Sequence, residues 1–574
     1  MFLFQLFRSF LPLHNPIGFG ASDFLLLALA AMLVAMAVAW RPLVDPYARS
    51  LAARTGWCML LLAALPIALR LLLLPHHPVP APGVSDEFSH LLVADTLLHF
   101  RLANRTHPLH QFFETFFVVQ EPTYSSIYAL GQGILLAVGR MLFGYPWAGV
   151  ALATAALCSL CYWMLRAWTT PGWALAGGLL CVVQFGPLNQ WMNSYWCGSL
   201  PAAAGCLVFG ALPRLRESFH IRNAALLGLG LAIHLLTRPY ESVFLLLSLV
   251  LFFLPAPRNL VRALPVVVLV VAPAIALTLA QNKQVTGSWT TLPYMLSRYQ
   301  YGVPATFTFQ ANPTPHRDLT REQQLDFEEQ SAVHGKDADT VGRYFARLAY
   351  RVRFYRFFWI APLYVALPFF FVALREFRFA WVVITLILFG LGDNFYPYFY
   401  PHYISALTCL FVLVSVIGLE QLSRLTIRGL PAGQDGARFL LFLCAAHFLF
   451  WYGIHLFDDA KWAAALREYQ TWDIINHDDP GGRIAINHQL AQVPGRQLVF
   501  VRYWPQHTFQ EWVHNAADID SARVVWARDL GATENEKLRR YYPDHTDWLL
   551  EPDAWPPRLT PYQHQTTMQF ETVP

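Results

Sequence analysis

The sequence predicts an α-helical polytopic membrane protein with about 12–13 spans and a small C-terminal α/β domain. Three observations predict this class. Of the 574 residues, 55% are hydrophobic and 14% charged, against roughly 25% charged in soluble domains. A soluble core that apolar would lack the charged surface that keeps it dispersed. Apolar runs recur along most of the chain with no sustained heptad, which excludes disorder, collagen and coiled coil. Charge is also divided: Asp458 onward holds 11 Lys+Arg against 17 Asp+Glu, leaving 30 against 20 for the residues before it.

A helix crosses the hydrocarbon core with about 20 apolar residues. The candidate spans are Phe24–Trp40, Trp57–Leu74, Ile127–Phe143, Trp147–Leu165, Trp173–Leu188, Gly198–Leu212, Ala224–Leu236, Ser242–Leu254, Ala263–Ala280, Phe357–Leu374, Phe379–Gly392, Ile404–Leu419 and Phe439–Phe457. The first reads as a retained helix and not a signal peptide, because no soluble domain follows it. Basic loops at Arg41–Arg54, Arg214–Arg222, Arg258–Arg262, Arg375–Arg378 and Arg424–Arg438 place those ends in the cytoplasm. Residues 76–124, 184–196, 238–241, 281–356, 394–403 and the whole tail then lie outside. Parity fails once, so either Ile127–Phe143 or Trp147–Leu165 is re-entrant or only half-crossing. The outer loops 76–124 and 281–356 exceed connector length and read as functional. Within the first, the apolar spacing of Asp86–Arg101 predicts a helix along the membrane surface.

The chain divides at 457/458. In the tail, Gln497–Tyr503, Arg523–Asp529 and Asp547–Asp553 read as strands, alternating with helical patterns at Arg483–Gln492, Thr508–Asn515 and Glu534–Tyr541. That alternation predicts a small parallel α/β unit. It has no glycine-rich phosphate loop, and the chain has no basic stripe, so neither a nucleotide nor a nucleic-acid partner is expected. All eight cysteines sit in or beside apolar segments, which argues against a disulfide framework. Cys158 and Cys161 read as packing groups one helical turn apart.

Chemistry concentrates in a few outer segments. Ser85-Asp86-Glu87-Phe88-Ser89-His90 places two carboxylates side by side, where desolvation and repulsion leave one as a general base. His90 lies one turn beyond Asp86. The competing reading is structural: Ser85 as N-cap, with Asp86 and Glu87 facing the helix dipole. Asp86, Glu87 and His90 are also the candidate ligands if a divalent metal is used; no other cofactor is indicated. In Thr237-Arg238-Pro239-Tyr240-Glu241 the arginine fork suits a phosphate, and its structural reading is an anchor paired with Glu241. Asn394–Tyr403 offers rings for a sugar face, with His402 and Tyr403 against a leaving phosphate; Asn193, Tyr195 and Trp196 belong to a similar aromatic stretch. Lys283 and Tyr294 are weaker signals in the second long loop.

This arrangement resembles the GT-C glycosyltransferase superfamily: an acidic pair in a long first outer loop, about a dozen spans and an outer C-terminal domain. Its closer relatives are the bacterial aminoarabinose-lipid-A transferases, protein O-mannosyltransferases and rhizobial lipopolysaccharide sugar transferases. The motif-level match is Asp86-Glu87. The resemblance implies transfer of a sugar from a polyprenyl-phosphate donor to an acceptor hydroxyl outside the cytoplasm, on lipid, glycan or protein, with inversion. Asp86 would be the base and Glu87 its alternate, in a multi-pass protein of the inner (plasma) membrane. Where the family has a Lys-Pro-Pro-like phosphate-binding stretch, this chain has Gln120-Glu121-Pro122-Thr123-Tyr124, with no lysine between Arg101 and Arg140. The phosphate role then passes to Arg238, His402, Tyr403 or Lys283, while His90, Glu121, Tyr124, Tyr240, Glu241, Asn193, Tyr195 and Trp196 are candidate substrate contacts. The rival reading is a flippase for the same lipid-linked sugar. Mid-helix charges are few and no repeated halves are visible, contrary to what transport sites need.

Overall fold

Apolar runs too long for a soluble core become a helical bundle, and the computed structural model describes it for residues 21–335, 339–457, 481–507 and 510–562. Its first helices are α1 (Ala21–Ala53), α2 (Thr55–Leu72), α3 (Ser85–Leu98), α4 (Leu130–Phe143), α5 (Pro146–Leu165), α6 (Pro171–Phe185), α7 (Ser199–Glu217), α8 (Ile221–Thr237), α9 (Glu241–Phe253) and α10 (Arg258–Thr286). Then come α11 (Pro293–Tyr301), α12 (Arg321–His334) and α13 (Val341–Arg351) in the second long loop, followed by α14 (Phe377–Asp393), α15 (Thr408–Ser423) and α16 (Ala432–Phe457). Among the described residues, α2, α5, α10, α16 and the segment Ser405–Ser423 containing α15 are each long and apolar enough to cross a bilayer. Residues 25–40 and 45–53 of α1 form a pair bent by 88°, a broken span or a re-entrant segment. α4, α6, α8 and α9 are apolar but shorter.

One expected span changes. Phe357–Leu374 is not an α helix: residues 352–358, 361–365 and 367–375 wind as successive 3-10 turns. Pro362 and Pro368 each remove a backbone donor from any α-helical ladder. The parity failure has a physical counterpart in lengths, since α4, with 14 residues, reaches about 21 Å. α5 has 20 and reaches about 30 Å, the thickness of the hydrocarbon core.

Loop ends sort into two groups, as the charge pattern anticipates. On one face, Thr169 donates to Glu420 (2.8 Å), Arg378 to the Trp168 carbonyl (3.2 Å) and Asn259 to the Arg216 carbonyl (3.3 Å). On the other, Tyr240 donates to the Gly392 carbonyl (2.8 Å) and the Tyr195 N–H to Glu87 (2.8 Å).

The tail forms a four-stranded sheet in the order β4-β3-β5-β6, with β3 (Arg496–Val501), β4 (Val524–Arg528), β5 (His545–Glu551) and β6 (Arg558–Pro561). β3 pairs in parallel with β4 and β5, and β6 closes the edge antiparallel to β5. α17 (Arg483–Gln492) and α18 (Ala532–Tyr541) match the expected helical patterns. Residues 510–516 are not helical, contrary to the pattern at Thr508–Asn515, because their polar groups turn to other partners: Glu511 to Tyr503, and Asn515 to the backbone of Trp526. The 457/458 boundary adjoins residues outside the described set.

α3 is not a surface helix. Phe88, Leu92, Val93 and Ala94 are all buried, with α4 on one side and the tail on another. Gly133 of α4 makes this possible: a Cβ there would lie 2.1 Å from Val93 Cγ1 and 2.5 Å from its Cβ. Gly133→Ala is expected to destabilise the detergent-solubilised protein by about 1–3 kcal/mol. Gly172→Ala, with nothing within 4 Å, should leave the thermal unfolding midpoint unchanged.

Candidate functional site

The site is built on the first turn of α3. The helix begins at Ser85 after an extended Val84, so the expected Ser85 cap is not the one used. Glu87 serves instead: Oε2 accepts the N–H groups of Gly83 (2.8 Å) and Val84 (3.2 Å), and Oε1 accepts that of Tyr195 (2.8 Å). A carboxylate this buried needs such donors to offset lost hydration. Both oxygens are therefore committed to backbone donors.

Further bonds fix the rest of α3. Ser89 donates to the Phe117 carbonyl (2.7 Å) and meets Ser126 (2.7 Å), beside the short ribbon β1 (Val118–Val119) and β2 (Ser125–Ser126). Asp95 accepts from Arg140 (2.8 Å) and from the Ala517 N–H of the tail (2.7 Å). Phe88 lies between the His514 ring (4.6 Å) and the Arg483 guanidinium (4.4 Å). The tail thus holds the helix that carries the acidic pair.

Asp86 points elsewhere. Its Oδ1 accepts the Tyr128 hydroxyl, and it remains partly exposed. Burial pushes its pKa above the usual aspartate value, opposed by the Tyr128 hydrogen bond and the Arg238 charge. His90, one turn on, stacks on Tyr128 with ring centroids 4.4 Å apart. Its Nδ1 has no partner, and burial with the Arg238 charge lowers its pKa to about 3, so it is neutral at physiological pH.

Arg238 caps the C-terminus of α8. Its guanidinium lies 4.7 Å over the Tyr403 ring and reaches Glu241 at a long 3.9 Å, while its Nε is buried without a partner. Two other buried arginines behave differently. Arg70 donates to Asn193 Oδ1 (2.7 Å) and to the His77 and Pro78 carbonyls (2.9 Å each). Arg351 donates to the carbonyls of Asp393 (2.8 Å), Tyr396 and Pro397 (2.8 Å), and so shapes the aromatic loop. Of these three, Arg238 keeps donating capacity beside an acidic side chain. His402 is buried against Tyr403 (4.7 Å), Trp196 (5.2 Å) and Tyr400 (5.8 Å), and burial and the Arg238 charge hold its pKa well below the ordinary histidine value.

Asp86, His90, Arg238, Glu241, Trp196, His402 and Tyr403 therefore share one neighbourhood. Other candidates do not join it. Lys283 is exposed and donates to the Gly287 carbonyl (2.6 Å) at the end of its own helix. Glu121 is exposed and pairs with Arg317 (3.7 Å) and His110 (3.8 Å). Tyr124 donates to the Asn515 carbonyl (3.0 Å). Asn193 is committed to Arg70 and to the Pro187 and Asn189 carbonyls. The Tyr195 hydroxyl goes to the Pro80 carbonyl (3.0 Å) and that of Tyr240 to Gly392. Among the described residues no group of three or more His, Cys, Asp or Glu side chains is arranged to hold a metal ion. Glu87 in particular faces backbone donors, so no step is assigned to a metal.

Sequence reading missed Tyr128, which lies outside the obvious motifs, and Asp326 of α12. Asp326 is buried, accepts from Gln330 (3.0 Å), and has its pKa raised to about 7 by burial, with the Asp86 charge contributing. Tyr294 and Tyr396 share a 2.5 Å hydroxyl contact within electrostatic range of Tyr128 and Tyr403. Tyr396 belongs to the aromatic stretch; no spacing rule joins it to Tyr294 or Asp326.

The bundle, the two long loops and the appended sheet resemble in fold solved membrane glycosyltransferases of the kind the sequence resemblance anticipated. The structure of ArnT from Cupriavidus metallidurans bound to undecaprenyl phosphate is similar, with TM-score 0.51 and 12% identity over 87% of this chain and 93% of that one. Its apo form gives 0.49 at the same identity and coverage. The Archaeoglobus fulgidus oligosaccharyltransferase in complex with Zn and sulfate gives 0.45 at 10% identity, over 86% and 67%. No protein-family model and no curated protein matches the sequence.

The geometry separates the two adjacent carboxylates. Glu87→Gln puts an amide N–H₂ against backbone N–H groups and is expected to destabilise the protein by about 1–3 kcal/mol. Asp86→Asn, which keeps an acceptor for Tyr128, should unfold within a degree or two of wild type. Thermal unfolding in detergent checks both.

Proposed function

We propose that this chain is a membrane glycosyltransferase that moves a sugar from a polyprenyl-phosphate-linked donor to the hydroxyl of a lipid, glycan or protein acceptor. The reaction takes place on the extracytoplasmic face of the inner (plasma) membrane, where α3, the aromatic loop and the tail lie. The observation that carries this reading is the neighbourhood of Asp86: a carboxylate that accepts the Tyr128 hydroxyl and feels the charge of Arg238, an arginine whose Nε has no partner. The likeness to a structure bound to undecaprenyl phosphate supports the lipid class of the donor.

In this reading the acceptor hydroxyl gives its proton to Asp86 as its oxygen attacks the anomeric carbon. The new C–O bond forms as the bond to the phosphate oxygen breaks on the opposite side, so the configuration inverts. Polyprenyl phosphate leaves with the electron pair, and its charge is met by the Arg238 fork. Neutral His90 and His402 hydrogen-bond hydroxyls without repelling the arginine, and the rings of Trp196, Tyr400 and Tyr403 offer a surface to the sugar.

The test is transfer by the purified protein, with radiolabelled polyprenyl-phosphate sugars as donors and a membrane extract as acceptor. Asp86→Asn should lose about 10²–10⁴-fold in kcat while remaining folded, and Arg238→Gln about 10²–10³-fold. Transfer by Asp86→Asn at the wild-type rate would remove the base assignment. Protein-dependent movement of intact donor across liposomes, with no transfer, would replace the enzyme by a flippase.

A further inference from the structure

A cavity of about 460 Å³ opens at the other end of the bundle, where α2 and α8 begin and α5 and α7 end. α8 has 17 residues and is about 25 Å long; Arg222 is near its start and Arg238 caps its end, so this cavity is on the face opposite Asp86. Its lining includes Arg166, Arg214, Arg222, Trp163, Thr55 and Asn223, and no carboxylate.

The arginines are arranged without a counterion. Arg214 lies 4.2 Å over the Trp163 ring and donates to the carbonyls of Gly210 (2.5 Å) and Trp163 (2.9 Å). It is within electrostatic range of both Arg166 and Arg222; Glu217 also acts on it but forms no ion pair with it. The Nε of Arg166 is buried and has no hydrogen-bond partner. The neighbouring cavity of about 300 Å³ on the same face, which Arg166 also borders, does hold carboxylates, but there Glu376 and Glu420 pair with Arg378 (2.8 Å) and Arg424 (2.7 Å). Three like charges around one small space repel unless an anion joins them, and guanidinium forks match phosphate oxygens in geometry.

The helices that line the cavity point to the source of the phosphate. Next in sequence to lining residues, Trp57 and Leu60 of α2 and Ile221 of α8 are 63%, 58% and 68% exposed, an apolar surface suited to acyl chains. We propose that this cavity binds the phosphate of an anionic phospholipid headgroup from the leaflet opposite the candidate active site. Thr55 and Asn223 supply further polar contacts, and the lipid chains run down the exposed surface of α2 and α8.

The experiment uses the full-length protein, delipidated in a neutral detergent, with phosphatidylglycerol or phosphatidylcholine added and bound lipid read by native mass spectrometry. The variant Arg166→Gln/Arg222→Gln leaves Arg214 and its carbonyl contacts in place. Wild type should retain phosphatidylglycerol in preference to phosphatidylcholine, and the double variant should bind it about thirtyfold more weakly. The lipid-free unfolding midpoint of the variant should match or exceed that of wild type, because two repelling charges are removed. Equal binding by variant and wild type, or no preference for the anionic lipid, would overturn the proposal. Displacement of the lipid by millimolar inorganic phosphate would keep the anion site but overturn a lipid as its occupant.

Discussion

The candidate site depends on a buried carboxylate bound by backbone donors. Glu87 sits buried at the third position of α3, and three backbone N–H groups from two separate segments converge on its oxygens. A charge so placed is tolerated only while all its partners are present, so the contact fixes the start of α3 against the loop that carries Tyr195 and Trp196. With that register set, the preceding residue, Asp86, is turned to Tyr128, and His90 falls one turn behind it. Adjacent residues on a helix diverge by about 100°, so two side-by-side carboxylates meet different partners.

The same division appears among the arginines. Arg70 and Arg351 are committed to carbonyls and hold loops in shape. Arg238 has a distant acidic neighbour and an aromatic ring beneath it, which leaves it able to meet a phosphate. The tail contributes from behind, through Asp95, Phe88 and the Tyr124 hydroxyl. It borders the site as a buttress, and the sheet itself supplies no group to Asp86 or Arg238.

Much of this was legible in the sequence, for reasons of periodicity and charge. Apolar runs gave the bundle, and strand–helix alternation gave the tail, apart from the antiparallel β6. Asp86 and Arg238 stood out because a carboxylate and an arginine at the ends of apolar helices need a reason to be there. The division of labour between Asp86 and Glu87 was not legible, because it depends on which face meets Tyr195, more than a hundred residues away. Lys283 misled for the converse reason: its own helix end, four residues on, satisfies it. Tyr128 and Asp326 carry no local signature and become visible only when the two long loops close over α3.

The most direct test of the central claim is the pH dependence of sugar transfer in wild type and Tyr128→Phe. Burial raises the pKa of Asp86 while the Tyr128 hydrogen bond favours its charged form. The carboxylate needed as base is therefore lost, as pH falls, at a value above the usual aspartate range. Removing the hydroxyl withdraws support from the charged form, so the acid limb should be displaced to higher pH in Tyr128→Phe. An acid limb at the same pH in both proteins, or one displaced to lower pH in the variant, would contradict the central claim.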